Sequence, residues 1–189
     1  MKLYAMIISC CVVAISAVVS LALHINFWWN LGLTTLATLA VILVDGLTAG
    51  LARISPKKVA QHDGKIYTVS AKEKQFYEKL KIRDWKEKLP EIGHLTGFRK
   101  NKIADPKSIE YLERFLLEIC YGELGHFASL FTGFLIVCVY PFSSLWIAVS
   151  IPVAIINLIL NLPFLFVLRY NSYKMEILRK KLLKRTSNF

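Results

Sequence analysis

The stretch LWIAVSIPVAIINLILNLPFLFVL, residues 145–168, runs for 24 residues without a charged side chain and stops at Arg169. A helix rises about 1.5 Å per residue and a bilayer's hydrocarbon core is about 30 Å thick, so such a run is long enough to cross it. Three more runs resemble it. Leu3–Leu23 carries no charge over 21 residues, Leu124–Phe142 has no Asp, Glu, Lys or Arg and His126 as its one histidine in 19, and Leu31–Ala52 holds only Asp45 as a charged residue in 22. The whole chain is 55% hydrophobic over 189 residues, with a mean hydropathy of +0.47. A soluble domain of this length has too little interior for that much apolar surface. The expected class is an all-α integral membrane protein: four transmembrane helices as two hairpins, with interfacial amphipathic helices on the cytoplasmic side.

Charge sets the expected orientation. Of 24 Lys and Arg residues against 13 Asp and Glu, sixteen lie in Arg53–Glu118, seven in Arg169–Phe189, and the last is Lys2. The short connections His24–Asn30 and Ser143–Ser144 have none. Basic residues stay on the cytoplasmic side, which places both termini and the long middle segment there, in a multi-pass membrane protein. The net charge of +11 is thus a topology signal and an attraction to anionic lipid, with no nucleic acid implied. Trp28, Trp29 and Trp146 fall at the opposite face, where interfacial aromatics belong. The first run is about twice the length of a signal-peptide core and has no cleavage signature, so it reads as a retained helix. Cys10, Cys11, Cys120 and Cys138 have no metal spacing and read as buried apolar residues.

Four segments follow: an N-terminal transmembrane hairpin (1–52), a cytoplasmic interfacial segment (53–122), a C-terminal transmembrane hairpin (123–168) and a basic amphipathic tail (169–189). After turn signals at Ser55-Pro56 and Asp63-Gly64, Ala71–Leu89 sets Phe76, Leu80, Ile82, Trp85 and Leu89 among basic residues, the composition of an interfacial helix ended by Pro90. A glycine-containing loop, Glu91–Ala104, comes next. Asp105-Pro106 then reads as an N-cap and N1 proline opening a helix with Ile109, Leu112, Leu116 and Ile119 on one face. In the tail, Met175, Leu178 and Leu182 form an apolar stripe among cations, the pattern of a surface anchor.

Polar groups at membrane depth are costly and need a reason. Glu123 and His126 are three apart, hence on one helical face, at the cytoplasmic mouth of the third span. The fourth span returns antiparallel, so Arg169, Tyr170 and Asn171 reach the same level, with Asn161 about 12 Å deeper. Pro163 is expected to loosen the helix between them. Topology thereby gathers Glu123, His126, Asn161, Arg169 and Asn171. Each also has a plainer role: a satisfied histidine, a Glu123–Arg169 pair holding two helices, or Asn157 and Asn161 as interhelical glue. Asp45, about 10 Å inside the second span, either joins the site or caps a kink at Asp45-Gly46.

Several of these residues stand in a familiar order. KLKIRDWKEKLP (79–90), Gly97-Phe98, YLER (111–114), EICYGELGH (118–126), Asn161-Leu-Pro163 and Arg169-Tyr170-Asn171 together resemble the glycosyl-diaponeurosporenoate acyltransferases, small bacterial membrane enzymes that esterify the sugar of a carotenoid glycoside. The resemblance spans about Arg53–Leu183. The chain departs from the family pattern at Tyr121 and Phe127, where the family favours a basic residue and tryptophan, and at Ser172-Tyr173-Lys174, where it continues Arg-Pro-Arg. The first span looks like an addition to the family's usual shorter start.

The resemblance implies transfer of a fatty acyl group from an activated donor to a hydroxyl of a glycosylated lipid, either a carotenoid glycoside or another glycolipid. No bound cofactor is implied. The donor substrate is acyl-CoA or acyl-carrier-protein, and the other partners are membrane lipids and the lipid-linked sugar. Such chemistry needs a base, an oxyanion stabiliser and a hold on the donor. His126 suits the base and Glu123 its orienting partner. Arg169, Asn171, Asn161 and Tyr170 suit the donor or oxyanion, and Trp85, Lys86 and Lys88 suit an anionic donor at the mouth. Two other classes fit parts of the pattern. Glu-x-x-His is half of a di-metal carboxylate site, but only His24, His62 and His94 remain to complete one. A membrane scaffold or lipid-binding subunit without catalysis is the other.

Overall fold

The computed structural model describes residues 2–90 and 103–186, and these are helical, turn or irregular, with no strand among them. Six α-helices follow in order: α1 (Lys2–Leu23), α2 (Phe27–Ile54), α3 (Ala71–Lys79), α4 (Ile82–Trp85), α5 (Ile109–Thr132) and α6 (Ser144–Thr186). Among the described residues four helical stretches are long and apolar enough to cross a membrane: Lys2–Leu23, Phe27–Ile54, Ile109–Val139 and Ser144–Thr186. The glycine-containing loop, with Gly97-Phe98 and His94, lies almost wholly outside the described residues. The chain divides into two compact units, Met1–Gly50 with Gly125–Leu162, and Leu51–Leu124 with Pro163–Phe189.

In the first unit Asn26 caps α2, its Oδ1 accepting from the Trp29 N–H at 3.1 Å. The fully buried Asn30 then donates to Ser16 O at 2.9 Å and Ser20 Oγ at 3.2 Å, fastening α2 to α1 by polar bonds. Ile15 and Val19 of α1, Ala37 and Val41 of α2, and Val149 and Val153 of α6 build the core around these bonds. Beyond Thr132 the α-helix tightens into a 3₁₀ segment, Gly133–Val139, so the third apolar run is not a single α-helix. Its Ile136 carbonyl accepts from the Trp146 indole at 2.8 Å, and Ser143 caps α6 through the Trp146 N–H at 3.2 Å.

In the second unit Ser70 accepts from the Glu73 N–H at 3.1 Å and caps α3. The single helix expected over Ala71–Leu89 is broken after Leu80. Lys81 takes φ 52°, and the Trp85 indole reaches back to the Leu80 carbonyl at 2.9 Å, closing a turn where a helical bond is missing. α4 and a 3₁₀ turn at Lys86–Lys88 follow. Ile82 is fully buried, and Trp85 and Leu89 pack with it, Tyr77, Val167 and Tyr170.

Asp105-Pro106 does not open α5. The Asp105 carboxylate accepts from the Lys107 N–H at 3.1 Å, forming a local turn, and the cap is Ser108, whose Oγ accepts from the Tyr111 N–H at 3.1 Å. Leu112, Leu116 and Ile119 are buried against Met175, with Leu178 and Leu182 beside it, so the apolar stripe of the tail packs on α5. That tail is the continuation of α6, which runs 43 residues without a break at Pro152 or Pro163. Of the four free cysteines Cys120 is buried and Cys11 half-buried, whereas Cys10 and Cys138 are exposed on apolar helices rather than interior.

Candidate active site

In the first unit the polar cluster forms where α2, α5 and α6 each contribute a side chain. His126 Nδ1 lies 2.9 Å from Asn161 Oδ1. The Asn161 amide nitrogen faces three acceptors, Asp45 Oδ2 at 3.0 Å, the Asn157 carbonyl at 3.0 Å and Asn157 Oδ1 at 3.1 Å. Asn157 in turn donates to the Ser129 carbonyl at 3.0 Å and, at 3.4 Å, to Asp45 Oδ1. The tight passage of the 3₁₀ segment requires Gly133. A Cβ there would stand 2.7 Å from Asn157 Nδ2 and displace that amide from its partners.

This network fixes the imidazole tautomer by elimination. A backbone carbonyl accepts only, so the Asn161 atom facing the Asn157 carbonyl is the NH₂ group and its Oδ1 points to His126. An amide oxygen accepts only, so His126 Nδ1 carries a proton, and in the neutral ring Nε2 carries the lone pair. Asn161 is buried and His126 half-buried.

In the second unit the centre is Arg169 on α6. Its Nε–H donates to Glu73 Oε1 and its Nη2 to Glu73 Oε2 at 3.0 Å, a two-pronged pairing. Nη1 donates to the Ile66 carbonyl and to Glu123 Oε2, each at 3.0 Å. Four of the five N–H groups are therefore engaged. Tyr77 Oη donates to Glu73 Oε1 at 2.6 Å. Burial pulls the Glu73 carboxyl up, but hydrogen bonds from Arg169 and Tyr77 and the guanidinium charge outweigh it and leave Glu73 below the usual carboxylate range. Burial first, and then Glu73, push the Tyr77 hydroxyl far above its ordinary value. Glu123 is 3% exposed, and its Oε1 is buried with no hydrogen-bond partner among the described residues. Gly122 lets Leu168 approach, since a Cβ there would sit 3.0 Å from Leu168 Cδ1.

The other expected residues fall in the second unit. Asn171 and Tyr170 are buried, and Lys174 Nζ lies 4.2 Å above the Tyr170 ring. The Trp85 indole N–H is bonded to Leu80, while Lys86 is half-buried and Lys88 exposed on the short 3₁₀ turn. A cleft of about 600 Å³ is lined by Lys74, Glu78, Lys81, Arg83, Asp84, Tyr170, Tyr173 and Lys174, with Lys74 Nζ paired to Glu78 Oε1 at 2.7 Å. The sequence reading passed over Glu73 and Tyr77 and left Asp45 open. Ser70-x-x-Glu73, a capping-box spacing, was the available signal for the first. Among the described residues no three His, Cys, Asp or Glu side chains are grouped so as to hold a metal ion.

A family model described as CrtO, glycosyl-4,4'-diaponeurosporenoate acyltransferase, matches residues 62–181. The chain belongs to this family. The name is that of acyltransferases acting on a carotenoid glycoside, and the matched stretch contains every residue of the two clusters except Asp45. No curated protein and no solved structure matches the chain.

Proposed function

We propose that the protein is a membrane O-acyltransferase moving a fatty acyl group from an activated thioester donor to a sugar hydroxyl of a glycosylated lipid, with a carotenoid glycoside as the first candidate. The observation that carries this reading, together with the family, is the fixed tautomer of His126. A nitrogen with a lone pair, on a half-buried ring held by a buried amide, is what proton removal from a sugar hydroxyl requires.

In the reaction His126 Nε2 accepts the hydroxyl proton as the sugar oxygen attacks the thioester carbonyl. A C–O bond forms and the carbonyl becomes a tetrahedral oxyanion. Its collapse breaks the C–S bond, and the leaving thiolate takes the proton back from Nε2. Throughout, Nδ1–H remains bonded to Asn161 Oδ1, which stabilises the transient imidazolium. Asn161 thus takes the orienting part first expected of Glu123. Arg169 is assigned to clamping Glu73 and Glu123, because little of its donor capacity is left for a phosphate. The cleft with Lys81, Arg83 and Lys174 suits the phosphates of coenzyme A or of a carrier-protein arm, and its volume is within the range of small-molecule sites. Asn171, Lys86 and Lys88 remain candidates for the same donor.

We place the four long helices across a bacterial cell membrane as two hairpins, both termini and the amphipathic helices cytoplasmic, because the basic residues segregate to that side. A cysteine introduced at Lys65 or Lys184 should be labelled only in permeabilised cells, and labelling in intact cells would contradict the orientation. The reaction class is tested by comparing lipid extracts of cells with and without the gene. One acylated glycolipid should vanish with it, and identical extracts would favour a scaffold.

A further inference from the structure

We infer that Asp45, on α2 and ahead of the family-matched stretch, is a positioning residue for His126, acting through Asn161. The inference rests on the assignment of His126 as base.

The argument begins with cost. A carboxylate on a membrane-spanning helix is costly to insert, and such residues persist where they have partners and a task. Asp45 has partners on one face of α6, with Asn161 Nδ2 at 3.0 Å on Oδ2 and Asn157 Nδ2 at 3.4 Å on Oδ1. It is not capping a kink, because α2 continues unbroken from Phe27 to Ile54 and nothing lies within 4 Å of a Cβ built at Gly46. Helix association alone calls only for a neutral group here, since asparagine and serine bridge helices without a charge.

The Asn161 amide is already turned the right way by the Asn157 carbonyl and side chain. What Asp45 adds is a negative charge joined to the ring by two hydrogen bonds, carboxylate to amide and amide to imidazole. Polarisation along such a chain strengthens each bond in it. The accepting power of Asn161 Oδ1 rises, and the positive charge that develops on His126 during proton transfer is stabilised more than the neutral ring is. The arrangement is a carboxylate–amide–imidazole relay in which the proton stays on Nδ1 and the charge, not the proton, is transmitted.

A double-mutant cycle separates this from a packing role. Membranes carrying the full chain are supplied with glycosyl-4,4'-diaponeurosporenoate and radiolabelled palmitoyl-CoA, and turnover is measured at saturating substrate, with membrane abundance checked by immunoblot. Asp45→Asn should lower kcat about ten-fold and change KM for the acceptor less than about two-fold. Asp45→Ser, uncharged and smaller, should do the same. In the Asn161→Ala background, Asp45→Asn should change kcat less than about two-fold, because the link is already cut. An equal loss in both backgrounds, or no loss in either, overturns the inference. His126→Ala is run alongside. Wild-type turnover in that variant would overturn the base itself, whereas its loss beside a silent Asp45→Asn would overturn only the relay.

Discussion

At the scale of single residues, the second unit turns on how Arg169 divides five donors. Its guanidinium takes both oxygens of Glu73 and still reaches Glu123 and the Ile66 carbonyl. Lysine keeps the charge but has no planar fork, so the pairing is specific to arginine. The same geometry has a pH signature. Glu73 is held below the ordinary glutamate value of 4.5, so its contribution to stability is complete above that value and is lost as pH falls through the lower native one. We expect the wild-type melting temperature to fall between about pH 5 and pH 3 more steeply than that of Glu73→Gln, which starts lower at neutral pH. Parallel curves would mean that Glu73 is not held by this pairing. Glu123, His126, Asn161 and Arg169 stood out in the sequence as candidates, because a charged or polar residue in or beside an apolar run is conspicuous. Their partners were not. Glu73 sits among lysines on a short helix, and its capping-box spacing from Ser70 marks a helix start rather than a partner for Arg169.

At the scale of elements, the break between α3 and α4 is the clearest departure from periodicity. Phe76, Leu80, Ile82, Trp85 and Leu89 are spaced as one amphipathic helix, yet Lys81 adopts a left-handed conformation that costs a non-glycine residue about 1 kcal/mol. The bond from the Trp85 indole to Leu80 and the burial of Ile82 offset that cost, and both are tertiary facts that a helical pattern does not announce. The side chain of Lys81 lines the cleft assigned to the donor. Asparagine tolerates this backbone better and lacks the charge. Lys81→Asn should therefore raise the melting temperature slightly while weakening coenzyme A binding several-fold, and weaker folding with unchanged binding would contradict both assignments. The start of α5 teaches a similar lesson. Asp105-Pro106 and Ser108 are both plausible caps, and the choice falls to Ser108 because the Asp105 carboxylate is used two residues on, at Lys107.

At the scale of the whole molecule, the four long apolar helices were readable from the sequence because a span must exclude charge over about 20 residues. The family was readable as well, since its motifs depend on order and spacing along the matched stretch. In the N-terminal helices Asp45 left a choice between the site and a helix kink, and its bonds to Asn157 and Asn161 are what a sequence alone does not show. The central claim is that this membrane protein transfers an acyl group with His126 as its base. The most direct measurement is the transfer of label from palmitoyl-CoA to glycosyl-4,4'-diaponeurosporenoate by membranes carrying wild-type or His126→Ala protein at matched abundance. The account predicts a labelled ester with the wild type and at least a hundred-fold less, roughly the scale of a lost general base, with His126→Ala. Equal labelling by the two proteins would contradict it.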